Sequence, residues 1–275
     1  MHLAHSPCPN DTFVFHAWTH GLVPGAETPR VTLADVDVTN TAAADGRFDV
    51  VKVSFAALPW LRDGYELLPC GGALGRGCGP LVLSRQAAPR EQLDGATIAV
   101  PGERTTAYLL FRLWAQGISP KKIEIVPFDQ IMPGIAAGRF DAGLVIHEAR
   151  FTYTDHGLSI MQDLGEWWES DTGLPIPLGA IIARTGVDTD AISSWIRDSV
   201  NHAWQHPADS AAYVAEHAQE MSPDVTKQHI ELYVNEFTAD LGASGYAAID
   251  GLLGRAARAG LVPEHRPFRP GAARR

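Results

Sequence analysis

His147 is the residue of this chain best placed for acid–base work. It follows the apolar run Leu144, Val145, Ile146, so a strand would deliver it at its end. An imidazole with an ordinary pKa of ~6.5 exchanges protons at neutral pH and is the usual general base. Glu148 follows it and Tyr153 is near. The competing reading is a buried, hydrogen-bonded structural histidine. The other ten histidines show no HExxH or similar spacing, so no metal site is expected. His202 and His206 are four apart, but Pro207 follows and no third ligand is evident; a polar helix face is the plainer reading.

Two loop–helix junctions have ligand-binding chemistry. In residues 6–12 (SPCPNDT), Pro7 and Pro9 fix the backbone, and Asn10 and Asp11 are expected to cap the helix that follows. A helix N-terminus offers unpaired N–H groups and the positive end of a dipole to a carboxylate or a sugar-like oxygen. The segment Arg104, Thr105, Thr106, Ala107 repeats the arrangement with two adjacent hydroxyls. Plain capping is the alternative at both. Ser54 ends a strand-like run and is a candidate donor across a cleft, but no GxSxG surrounds it, so it is not read as a nucleophile. Lys52 is expected on the other strand face, as a salt-bridge partner. Residues 71–80 carry five glycines without matching GxGxxG or a Walker loop, which suits a crossover or cleft-side loop. Within it Arg76 is a candidate anion contact or simply a surface arginine. Trp167 and Trp168 either wall a pocket for a flat ligand or pack between lobes.

These residues need elements to hold them. Apolar or β-branched runs at 2–6, 31–38, 49–54, 81–84, 97–100, 123–127, 143–146 and 179–183 alternate with helix-like runs, among them 11–20 and 105–116. That is the α/β pattern. Beyond about residue 185 only helices are expected. Ile192, Trp195, Ile196, Val200, Ala203 and Trp204 form one apolar stripe there, and further helices are expected at 211–219, from Ser222 and Pro223, and at 244–259, with a loosely packed end at 263–275. The sequence GRFD occurs at 46–49 and again at 138–141, each time after a helix-like run and before a β-like one. The echo reads as two similar α/β lobes in tandem, or as the ordinary preference of turns for Gly and Asp. Two lobes imply a cleft, and ligands of open α/β sheets lie beyond the carboxyl ends of the strands. By that rule residues 6–12, Ser54, 105–107 and His147 face it.

The 275 residues are a prior of just under two domains at ~150 residues each. Hydrophobic residues make up 45% and charged residues 20%, an ordinary globular balance. The net charge of -10 disfavours a nucleic-acid partner. No apolar run approaches the ~20 residues of a membrane helix. Cys8, Cys70 and Cys78 form no CxxC, and their odd number makes no secreted disulfide framework. Residues 1–20 lack the basic start, apolar stretch and small-residue cleavage site of a secretory signal, so a cytoplasmic location is expected.

Five segments taken in order resemble the 1,4-dihydroxy-6-naphthoate synthase family of the futalosine route to menaquinone. They are 6–13 (SPCPNDTF), 71–77 (GGALGRG), 100–102 with 105–108 (VPG, TTAY), 143–148 with 150–153 (GLVIHE, RFTY) and 172–175 with 177–180 (TGLP, PLGA). Arg104 departs from the pattern, which has His before the paired threonines. The resemblance implies a two-lobed, type II periplasmic-binding-protein-like fold with C-terminal helices, used as an enzyme. Lobe 1 would comprise 1–90 and 180–275, and lobe 2 would be the inserted 91–179. It implies a carbon–carbon lyase that converts cyclic dehypoxanthine futalosine to 1,4-dihydroxy-6-naphthoate and dihydroxyacetone. The family's general base falls on His147, and its substrate contacts fall on Lys52, Val53, Ser54, Thr106 and Ala107. Asn10, Thr105 and Arg76 join them as candidates from the residue reading. No cofactor is expected, since forming the aromatic ring can drive the cleavage. The partner expected is a small-molecule substrate. The competing readings are the similar chorismate dehydratase of the same route and a solute-binding protein without chemistry.

Overall fold

The short β-branched runs assemble into two sheets in the computed structural model, which describes residues 1–147, 149–218 and 222–268. The first part of the chain runs β1 (His2–His5), α1 (Pro9–Thr19), β2 (Arg30–Leu33), α2 (Val36–Ala44), β3 (Val50–Ser54), α3 (Leu58–Leu61), β4 (Tyr65–Leu67) and β5 (Ala73–Gly75). There follow β6 (Leu81–Ser84), β7 (Thr97–Val100), α4 (Thr106–Trp114), β8 (Lys122–Ile125), α5 (Phe128–Ala136), β9 (Ala142–Val145), α6 (Ala149–Thr152), β10 (Ser159–Asp163) and α7 (Leu164–Thr172). Among the described residues the last strand is β11 (Ile176–Arg184), and five helices follow it: α8 (Thr189–Gln205), α9 (Ala211–His217), α10 (Pro223–Tyr233), α11 (Glu236–Ala239) and α12 (Gly242–Arg258).

The first sheet has the order β2-β1-β3-β11-β4, with β5 also paired to β11; the second has the order β10-β6-β9-β7-β8. In each, a parallel pair supplies the strand ends that matter: β1 beside β3, and β7 beside β9. The repeated GRFD is the joint that makes both pairs. Gly46 and Gly138 take positive φ (66° and 74°) just after α2 and α5, a backbone state that glycine reaches without steric penalty. The aspartate three residues on then ties down the start of the neighbouring strand. Asp49 Oδ2 accepts from His2 N–H at 2.8 Å, and Asp141 Oδ2 accepts from Thr97 N–H at 2.8 Å.

Several expectations need correction. The run 31–38 is strand only to Leu33; Val36 and Val38 belong to α2, where packing overrides β-branched propensity. Strands β4, β5 and β10 lie outside the expected runs. β6 hydrogen-bonds to β9 and β10, so its pairing lies in the second sheet although it precedes the expected boundary at 90. Asn10 and Asp11 do not cap α1: the N-cap is Cys8, Pro9 begins the helix, and both polar residues sit inside the first turn. On α8, Ile192, Ile196, Val200 and Ala203 are buried together with Phe15 and Trp18 of α1, while Trp204 lies exposed at the end of the stripe. Burying each of the Ile and Val side chains stabilises the fold by about 1.5–3 kcal/mol. Gln219, residues 269–275 of the expected loose end, and Glu148 lie outside the described residues.

Candidate functional site

The carboxyl ends of β1, β3, β7 and β9 deliver Ser6, Ser54, the start of α4 and His147 to one cavity of about 60 Å³. A wider groove of about 820 Å³ lies outside it, and Ile146 and His147 line both. Asn10, Lys52, Ser54, Thr105, Thr106 and Ala107 all line the inner cavity. Val53 does not: it points into the hydrophobic core from the opposite face of β3 and is fully buried. Arg76 is not brought to the cavity either. It stands at the surface, donating to Gly173 O and pairing with Glu169. Nor do the tryptophans wall it. Trp168 is buried with its indole N–H on Pro175 O, and Trp167 lies under Arg255.

Lys52 shares a strand face with Ser54, as the two-residue period of a strand requires. Its ammonium meets Asp11 Oδ1 at 2.5 Å, with both side chains almost wholly buried. Gly179 makes room for it: a Cβ there would lie 2.6 Å from Lys52 Cε. Burial pushes the Asp11 carboxyl up, but Lys52, His5 and the bonds from Lys52 and Ser6 outweigh it and hold the group below the ordinary carboxylate range. The pair therefore puts a compensated charge beneath the site rather than a bare cation.

The donors facing the cavity follow from who already holds each hydroxyl. Ser54 Oγ accepts from Asn40 Nδ2 at 3.1 Å, and Ser54 N–H donates to Asn40 Oδ1 at 2.7 Å. The serine is thus oriented with its own proton left to give. Thr106 Oγ donates to Leu178 O at 2.8 Å and accepts from Ala56 N–H, so its hydroxyl proton is spent within the protein. Thr105 is the true N-cap of α4, accepting from Tyr108 N–H and donating to Gly102 O. What α4 offers a ligand is backbone: the N–H groups of Thr106 and Ala107, which a helix cannot satisfy internally.

His147 stands just beyond β9 with φ of 58°, the one non-glycine residue with positive φ among the described residues. Such a backbone state costs about 1–3 kcal/mol and persists where the surroundings over-determine it. Phe128 of α5 stands 5.8 Å from the His147 ring, and the rest of these surroundings come from the other sheet's elements. Cys8 Sγ lies 3.3 Å from His147 Nδ1. The rings of His229 and Tyr233 stand 5.8 and 6.5 Å from its own. Cys78 also lines the cavity, its thiol pushed up to about 12, chiefly by burial, which keeps it protonated.

Asn40, His229 and Tyr233 are absent from the sequence reading. For the last two a signal existed: His and Tyr four apart on a helix share one face. Nothing in the sequence ties that face to the cavity: Tyr233 lines it, but every other lining residue comes from positions 6–179. Asn40 sits in a segment whose β-branched neighbours disguise its helix.

The chain matches a family model described as menaquinone biosynthesis over residues 1–258. It is similar to a 1,4-dihydroxy-6-naphthoate synthase of Streptomyces coelicolor, 60% identical over 269 residues, 96% of this chain and 95% of that one. A protein of the same name from Thermus thermophilus is 45% identical over 98% of each chain. Among solved structures, one from Archaeoglobus fulgidus superposes with a TM-score of 0.87 at 32% identity, covering 95% of this chain and 98% of that one. An alkanesulfonate-binding protein from Xanthomonas axonopodis pv. citri superposes with a TM-score of 0.71 at 14% identity, over 96% and 94% of the two chains. The fold is therefore periplasmic-binding-protein-like, as the motifs implied.

Proposed function

Because this chain belongs to the menaquinone-biosynthesis family and is an enzyme of that route, we propose that it converts cyclic dehypoxanthine futalosine to 1,4-dihydroxy-6-naphthoate, releasing dihydroxyacetone. The observation that carries the reading is the place of His147: at a strand end, in the wall shared by the inner cavity and the outer groove. His147 takes a proton from the sugar-derived part of the substrate and starts a retro-aldol-type fragmentation. The electron pair of the breaking carbon–carbon bond passes into the ring system, which becomes aromatic. Ser54 and the N–H groups of Thr106 and Ala107 hold substrate oxygens, and Lys52 with Asp11 sets the charge beneath them. Closure of two lobes around the substrate excludes water and orients the bond that breaks. We divide the lobes by sheet membership, with β6–β10 in the inserted one. No helix is long and apolar enough to cross a membrane among the described residues; we place the enzyme in the cytoplasm, acting on a small molecule.

Mass spectrometry of the pure protein mixed with cyclic dehypoxanthine futalosine tests this. Dihydroxynaphthoate and dihydroxyacetone in equal amounts are expected, and no dihydroxynaphthoate would overturn the reading. His147→Ala should lower turnover about 10²–10⁴-fold with the fold intact. A folded His147→Ala protein with wild-type turnover removes the base from His147 and leaves the reaction to another group.

A further inference from the structure

The cavity is served by a residue that does not line it. His229, on α10, is fully buried, and its Nε2 lies 3.0 Å from Asn10 Oδ1. The amide of Asn10 has only one reasonable orientation. Its Nδ2 donates to Asp11 Oδ1 at 2.8 Å, and turning the amide over would set its oxygen against that carboxylate. The oxygen therefore faces His229 and needs a donor, so His229 carries its proton on Nε2. Nδ1 is then a bare acceptor, in keeping with its being buried without a hydrogen-bond partner. A neutral imidazole with a single fixed tautomer is the only form that meets all these contacts. Burial foremost, with His147 nearby, lowers the pKa of His229 from 6.5 to about 3, so the neutral form persists across the working range.

The chain of bonds runs from α10 to the site. His229 donates to Asn10, Asn10 donates to Asp11, and Asp11 accepts from Lys52. The carboxamide has two N–H groups, and Asp11 takes one. We infer that His229 is a positioning residue that locks the Asn10 carboxamide so that its second N–H enters the cavity as a donor to an oxygen of the substrate beside His147. The inference rests on the proposed reaction. It assigns to the C-terminal helices a part in substrate recognition, exerted through a residue 219 positions away.

Steady-state kinetics of the full chain with cyclic dehypoxanthine futalosine test it. His229→Leu should raise KM about tenfold, the equivalent of one hydrogen bond. His229→Gln, whose amide N–H can reach Asn10 as Nε2 does, should return KM to within about threefold of wild type. Asn10→Ala should show the same loss as His229→Leu, and adding His229→Leu to Asn10→Ala should change KM less than twofold, because coupled residues are not additive. A His229→Gln protein as impaired as His229→Leu, or a His229→Leu effect undiminished in the Asn10→Ala background, would show that His229 acts by packing and would overturn the inference. If His229→Leu does not fold, Asn10→Ala decides alone: wild-type KM there overturns the inference. Failure of the underlying reading looks different, since the wild-type chain would then make no dihydroxynaphthoate at all.

Discussion

Asp11 and Lys52 show how a single residue's meaning depends on what folds against it. Near Pro9 the aspartate looks like a helix cap; in the fold it is the buried counter-ion of a lysine from β3. Removing one partner of such a pair strands the other charge away from water. Asp11→Asn should therefore destabilise the protein by about 3–5 kcal/mol, measured by urea unfolding. The histidines give the pH dependence. A group with a folded pKa of about 3 and an unfolded pKa of 6.5 binds its proton only in the unfolded chain between those values. His229 thus contributes stability that is complete above pH ~6.5 and is lost as the pH falls, at about 1.4 kcal/mol per unit. His5, fully buried with its pKa also lowered, foremost by burial, acts with the same sign. Urea midpoints measured between pH 7 and pH 5 should fall in the wild type and fall less in His229→Gln. His147, Ser54 and the first turn of α4 were legible beforehand because strand ends and helix starts have local signals. Asn40, which orients Ser54, and His229, which meets Asn10, were not, because each acts through a contact that only the tertiary fold creates.

At the scale of elements, GRFD was legible as a repeat, and its purpose emerged in the fold as a glycine stop followed by an aspartate clamp. The short strands β4 and β5 were not legible, since three residues carry no usable periodicity, and β10 carries polar residues at positions that a half-buried strand permits. The Gly-rich segment 71–80 has its clearest reason at its end. A Cβ on Gly79 would lie 2.2 Å from Gly165 N and 2.3 Å from its Cα, and one on Gly165 would lie 2.8 Å from Gly79 N. The entry to β6 and the start of α7 thus touch backbone to backbone, beside the cavity-lining Pro80. Asp163 fixes that contact, accepting from Gly165 and Glu166 N–H while Arg150 pairs with it. Neither backbone can yield without disturbing these bonds. Gly79→Ala should cost at least about 1–3 kcal/mol, seen as a lower Tm in a thermal melt; an unchanged Tm would mean that the two elements can part.

For the whole molecule, the α/β alternation and the switch to helices after residue 185 were readable, because each rests on long stretches. The sharing of sheets was harder to read. It depends on β11 returning to the first sheet after the second has been built, and nothing local in residues 176–184 names their partner. That return has a consequence for how the protein is made. β3 is buried along its whole length, paired on one side by β1 and on the other by β11, where Ser54 meets Gly179. During synthesis at about 5–20 residues per second, that second side stays open for roughly 6–25 s after β3 has left the ribosome. An apolar strand edge exposed for so long is a template for pairing with another chain. A chain cut after Pro175 never closes it and should collect in the insoluble fraction when expressed, whereas the full chain should stay in the supernatant. The nascent protein is thus most vulnerable midway through its own translation, and demand for chaperone cover should peak there.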